Sequence, residues 1–414
     1  MSMPNFKRTK FACYTAYFTM ASIFCLPPLL FVTLREMYGI SYTLLGTLVL
    51  TNFVTQLTID LIFTVFSKYF NVKRIVRTMP LITSAGLALY ALSPVILPNH
   101  VYLGLLLGTV IFSVAAGLSE VLLSPLIAAL PSDNPQGDLS ALHSLYAFGV
   151  FSVVVTSTLF LKIFGSHNWQ YLIFFMAALP IFATVLFMFS PMPDMSAPEV
   201  SADTTASRKK TVGLALCTAC IFLGSCAENT MANWISSYAE NALHIDKALG
   251  DILGMAMFAI LLGIARISYA KYGKRIMPIL MFGMIGATVC YLIISFTSNN
   301  ILAFVACSLT GLVTSMLWPG TLIMMEENIP GVGVAAYALM ASGGDLGASV
   351  APQLMGIVID RVAASDYAAR RALETGLSTE QIGMKTGMLV TSLFPIMGIF
   401  LLLFIIRYFK KNKA

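Results

Sequence analysis

Apolar runs long enough to cross a membrane recur along the whole of this chain. A helix needs about 20 residues to span ~30 Å of hydrocarbon, and runs of that order fall near 11–34, 42–67, 76–97, 101–130, 139–164, 169–190, 211–238, 249–271, 276–297, 300–325, 332–362 and 386–407. Charged residues make up 11% of the chain and hydrophobic residues 58%, with a mean hydropathy of +0.83, where a soluble domain carries about 25% charged residues. The expected fold class is therefore an all-α membrane protein with twelve transmembrane helices.

The net charge of +6 does not point to nucleic acid, because the basic residues sit at span ends, where they set orientation. With the N-terminus placed inside, only Arg35, Lys162, Lys247, Arg361, Arg370, Arg371 and Lys385 of the 25 basic residues fall outside. That asymmetry places both termini on the cytoplasmic side. The first run is too long for a signal-peptide core and lacks a small-residue cleavage site after it, so it reads as a retained span. Cys217 and Cys220 form a CxxC inside an apolar run with no further ligand pair near them, which reads as small apolar packing rather than a metal or redox site. The four histidines show no metal-ligand spacing, and no phosphate-binding glycine loop exists. No enzyme, ATP-driven pump, cofactor or metal is expected.

The stretch from Gly117 to Gly149 carries a carboxylate, Glu120, deep in an apolar run, breaks at Pro125 and Pro131, and re-enters a second run behind His143. An ionisable side chain in hydrocarbon costs roughly 2.5–3.5 kcal/mol on insertion scales, so Glu120 is expected to line a wet cavity. Pro125 and Gly149 are separated by the same 24-residue interval as Pro319 and Gly343, and both halves carry a Lys-Tyr and a Lys-Arg-Ile after their second span. A duplicated half explains this. The expected domains are an N-terminal six-helix bundle over 1–191, a polar cytoplasmic linker over 192–210, and a C-terminal six-helix bundle over 211–414, pseudo-symmetric, with the substrate site at the midplane between repeats. The outer loop 363–385 favours a short helix, with Ser378 and Gln381 spaced as a capping box.

Polar groups inside the spans supply the candidates. Asn52, Gln56 and Asp60 lie at i, i+4, i+8 on one helix face, which reads either as a wet wall or as interhelical hydrogen bonding. Glu228, Asn229, Asn233, Ser236, Trp234 and Tyr238 bring a carboxylate, amides and aromatic faces to one side of span 7, the groups a sugar ring asks for. Asp345 follows Gly343-Gly344 midway through span 11, and Trp318-Pro319 breaks span 10. Arg266, near the inner end of span 8, is expected to snorkel toward water.

Two six-span halves, a polar central linker and basic loops after spans 2 and 8 resemble the Major Facilitator Superfamily. Within it, Gly117-Leu118-Ser119-Glu120, Ser124-Pro125, Leu139 to His143 and Phe148-Gly149, with Glu228, Trp234 and Tyr238 in span 7, resemble the fucose permease-like sugar:cation symporters. The resemblance implies that Glu120 lies on the coupling-ion path and that His143 and Tyr146 line the substrate cavity. Ser124-Pro125 stands where that pattern commonly has Asn-Pro, and span 1 carries Pro27-Pro28 rather than a carboxylate. The expected protein is a monomeric inner-membrane secondary transporter of a small polar solute such as a hexose. Glu120, with Glu228 or Asp60, exchanges a proton with the cavity, and protonation removes the charge that opposes occlusion. Sodium is the competing ion. Efflux of amphipathic compounds or organic acids, and a non-transporting membrane sensor, are the other readings.

Overall fold

The computed structural model describes residues 6–40, 42–193, 204–245 and 250–413. Most of the expected linker, 194–203, and Lys247 lie outside them. The chain divides into two compact units, one of residues 1–199 with 332–342, the other of residues 200–331 with 343–414.

In the first unit the helices are α1 (Lys7–Leu29), α2 (Phe31–Tyr38), α3 (Tyr42–Phe66), α4 (Val72–Ile96), α5 (Val101–Ala128), α6 (Pro135–Phe164) and α7 (Trp169–Met188). Asn71 caps α4 by accepting from Arg74 N, and Asn134 caps α6 ahead of Pro135, whose missing N–H costs nothing at that position. α5 packs on α3 and α4, α1 on α6 and α7. The core holds Trp169 edge-on to Tyr90 at 6.2 Å, with Phe112 beside Tyr90. Contrary to the sequence expectation, Pro125 does not break α5. A proline deletes one backbone hydrogen bond, and the helix runs on for three residues to Ala128.

The second unit contains α8 (Thr204–Ser237), α9 (Met257–Tyr272), α10 (Ile276–Phe296), α11 (Asn300–Thr314), α12 (Pro319–Asn328), α13 (Val334–Ala363), whose first turns group with the other unit, α14 (Asp366–Thr375), α15 (Thr379–Thr391) and α16 (Leu393–Lys413). α8 ends in a π-helical turn, Tyr238–Ala242, and α9 is preceded by another, Gly250–Ala256. Tyr291 OH donates to Ala227 O at 2.7 Å and Tyr238 OH to Ile294 O at 3.0 Å, strutting α8 against α10. The outer loop forms α14, closed by Gly376 in the left-handed region, and Ser378 with Gln381 forms the expected capping box of α15.

Among the described residues, ten helical stretches are long and apolar enough to cross a membrane. α1 continued by α2, and α3, make twelve with them; span 10 is α11 plus α12 and span 12 is α15 plus α16. The repeat is visible inside each unit. A Cβ on Gly149 would meet Phe18 O and Ala21 in α1, and one on Gly343 would meet Thr218 O and Ile221 in α8. Likewise Gly117 fits against the Gln56 backbone of α3, and Gly311 against the Phe258 backbone of α9. Related lysines then do related work: Lys10 pairs with Asp138 at the start of α6, and Lys210 donates to Gly331 O just before α13 at 2.9 Å.

Candidate functional site

In the first unit α1, α5 and α6 meet around His143, which is buried. Tyr17 OH lies 3.1 Å from its Nδ1, and Ser124 Oγ lies 3.2 Å from its Nε2. Both ring nitrogens are thus engaged by hydroxyls of two other helices. Aromatic rings extend the cluster: Tyr17 is edge-on to His143 at 5.0 Å and to Tyr146 at 6.4 Å, and Phe24 is edge-on to Tyr146 at 5.7 Å. Glu120, half-buried, sits one turn before Ser124 on α5.

The α3 ladder lies against α5. Asn52 Oδ1 accepts from Gln56 Nε2 at 3.0 Å and from Ser113 Oγ at 2.6 Å, and Gly117 brings the two backbones together at Gln56. Asp60 follows one turn on, fully buried. Polar bonds of this kind between membrane helices are worth about 0.6 kcal/mol on average.

The second unit is built around Arg266. Its Nη2 donates to both oxygens of Glu228, at 2.9 and 3.2 Å, and its Nε donates to Ser315 O at 2.7 Å. The residue is 2% exposed and Glu228 9%, so Arg266 does not snorkel as its position in the sequence led us to expect. The reason is local. Pro319 has no N–H to give the Ser315 carbonyl four residues before it, the chain turns between α11 and α12, and the guanidinium fills that acceptor while its charge is met by Glu228. A buried guanidinium needs such a partner.

The remaining span 7 candidates hold the helices together. Asn229 Nδ2 donates to Ser225 Oγ at 3.0 Å, and Ser225 Oγ to Gly344 O on α13 at 2.6 Å. Trp234 Nε1 donates to Pro352 O at 3.1 Å, with Gly356 under its ring, and Trp318 packs against Gly344 next to the buried Asp345. Asn233 is exposed and donates to Asn229 O at 2.8 Å. The side chain of Ser236 lies outside the described residues.

The Major Facilitator Superfamily profile matches residues 12–352 of this architecture. The chain belongs to that superfamily. This superfamily member is a multi-pass membrane transporter, not an enzyme. A search of curated protein sequences returns no match. Among solved structures, the chain is similar to the transporter FucP in the outward conformation, with 14% identity, a TM-score of 0.72, and coverage of 94% of this chain and 98% of that one. It is also similar to the proton:xylose symporter XylE bound to 6-bromo-6-deoxy-D-glucose (12% identity, TM-score 0.71, 95% of each chain), and to the human organic anion transporter MFSD10 (12% identity, TM-score 0.67, 97% of this chain and 100% of that one). At these identities the likeness shows the shared fold.

Sequence reasoning missed Tyr17, Ser113, Ser225 and Ser315. A hydroxyl or carbonyl in an apolar run carries no signal until its partner helix is known. The Arg266–Glu228 pair did leave one, since two opposite charges stand within neighbouring apolar runs, although Arg266 lies toward the inner end of its own.

Proposed function

We propose that this transporter carries a small, neutral, polyhydroxylated solute of the hexose class together with a proton, by alternating access. The observation that carries the reading is the first-unit cluster: a half-buried carboxylate, Glu120, one turn from Ser124, which holds the buried His143 among the rings of Tyr17, Tyr146 and Phe24. A carboxyl group that is charged when open to water and neutral when closed can couple a proton to movement of an uncharged solute. Tyr146 in the first unit, and Asn233, Trp234 and Trp318 in the second, none fully buried, are within each unit the groups suited to give a solute hydrogen bonds and ring faces. Asn52, Gln56, Asn229 and Asp345 stand behind these as further polar groups, and Asp60 as a second carboxylate on the ion path.

An organic acid is the less suitable cargo. The guanidinium of Arg266 already has its counter-charge in Glu228, so an arriving carboxylate would have to displace a protein carboxylate from a buried ion pair. The fucose:proton and proton:xylose symporters among the similar folds fit the sugar reading. The basic span ends support an inner-membrane orientation with both termini cytoplasmic.

The test uses the full chain in proteoliposomes with radiolabelled L-fucose and D-xylose as probes. Wild type should accumulate a probe against its gradient when the pH gradient is imposed. Glu120→Gln should abolish that accumulation and retain counterflow exchange. Accumulation that persists in Glu120→Gln, or that follows only a sodium gradient, overturns the reading.

A further inference from the structure

Tyr17 and Ser124 occupy the two nitrogens of His143 from opposite sides, at 3.1 and 3.2 Å, and all three residues are buried. We propose that Tyr17, His143 and Ser124 form a proton wire that delivers the coupling proton to Glu120; this rests on the proton-coupled reading above. A substrate hydroxyl reaching either ring nitrogen would first have to displace a protein hydroxyl, so the ring is better placed to conduct than to bind. The chemistry of the three groups fits conduction. A hydroxyl both donates and accepts, and a neutral imidazole donates from one nitrogen while accepting at the other. A proton taken up by the Tyr17 oxygen releases the original phenolic proton to Nδ1, so that an Nδ1–H bond forms. The Nε2–H bond breaks as its proton passes to the Ser124 oxygen, which gives its own proton to the Glu120 carboxylate. Tyr17, His143 and Ser124 each gain and lose one proton and end neutral, Glu120 passes from carboxylate to neutral acid, and resetting needs only rotation of the hydroxyls and exchange of the ring tautomer.

Spacing supports the last step, because Glu120 and Ser124 are i and i+4 on α5 and share a face. Other titratable groups on the helices packed here include Lys10, Cys13 and Tyr14 on α1, Asp60 on α3, and Asp138 and Tyr146 on α6. Asp138 already has Lys10 as its counter-charge. Edge-on packing of the Tyr17 ring on both His143 and Tyr146 fixes the phenol orientation, as a wire requires.

Two measurements test this on the full chain. In proteoliposomes with the same two sugar probes, Tyr17→Phe and Ser124→Ala should slow proton-driven uptake by about 100-fold, with counterflow within about twofold, the scale at which a positioned proton donor acts. Ser124→Thr, which keeps the hydroxyl, should restore uptake. Unchanged uptake in both hydroxyl deletions, or equal loss of uptake and counterflow with no rescue by threonine, overturns the wire. The second readout needs no solute: nitrogen-15 NMR of histidine-labelled protein, with His143 assigned by His143→Gln. Tyr17→Phe should displace its Nδ1 signal, Ser124→Ala its Nε2 signal, and Glu120→Gln should alter how both respond to pH. If wild type transports neither sugar, the solute class falls while these spectra still judge the wire. Spectra indifferent to Glu120→Gln overturn the wire.

Discussion

Removing either member of the Glu228–Arg266 pair should be far more damaging than removing both. Arg266→Met leaves a carboxylate buried without its counter-charge, at about 3–5 kcal/mol. It also strips the Nε donor from the Ser315 carbonyl, which Pro319 cannot serve, for a further ~1–3 kcal/mol. Glu228→Gln keeps the side-chain shape but leaves the guanidinium uncompensated, again at about 3–5 kcal/mol. In the double variant Glu228→Gln/Arg266→Met both charges are gone and only the carbonyl is unserved, so the total should fall to ~1–3 kcal/mol. The carbonyl cost is common to the Arg266 single and the double and cancels, so the resulting coupling energy is about 6 kcal/mol or more, against ~0.2–1 kcal/mol for exposed pairs. The assay is equilibrium unfolding of the purified chain in mixed micelles, followed by tryptophan fluorescence; Trp234 and Trp318 both report from the same unit. Lys10→Met serves as the internal control, because the Lys10–Asp138 pair has side chains 35% and 15% exposed and should cost no more than ~1 kcal/mol. Single variants within ~1 kcal/mol of wild type, or a double variant as damaged as the two singles combined, would refute the reasoning.

Two further outcomes follow from packing. Gly149→Val and Gly343→Val should each push a helix pair apart, α1 from α6 and α8 from α13, because a Cβ has no room against the Phe18 or Thr218 carbonyl oxygen. Each should cost about 1–3 kcal/mol or more and lower the yield of folded protein in detergent, whereas alanine at the open, exposed Gly165, with φ +82°, should cost only its backbone strain, ~1 kcal/mol. Gln381→Ala should loosen the end of α8: Gln381 accepts from Ser378 N at 2.8 Å and donates to Ala242 O at 3.0 Å and to His244 Nε2 at 3.1 Å. Faster hydrogen exchange at residues 238–245, with α10 unchanged, is the expected result, for a cap loss of about 1 kcal/mol.

Membrane location, helix class, the number of spans and the repeat were legible in the sequence because the bilayer imposes a length and a polarity that any spanning segment must show. The capping box at Ser378 and the break at Trp318-Pro319 were legible for the same kind of reason, being local chemistry. Pro125 shows where local reading stops. It occupies the repeat position of Pro319, yet α5 runs through it while span 10 turns. The difference at Pro319 is a guanidinium from α9 that takes up the vacated carbonyl, and no local pattern encodes that.

The candidate site divides along the same line. Glu120, His143, Glu228 and Asp345 stood out alone, because a polar side chain in an apolar run is costly wherever it ends up. Most pairings did not: Tyr17 with His143, Ser113 with Asn52 and Gly344 with Ser225 emerge only once the helices are packed. One-dimensional pattern determines which residues must find a partner in hydrocarbon. Only helix packing decides which partner each one finds, since a hydrogen bond or an ion pair depends on distances of about 3 Å between residues far apart in the chain.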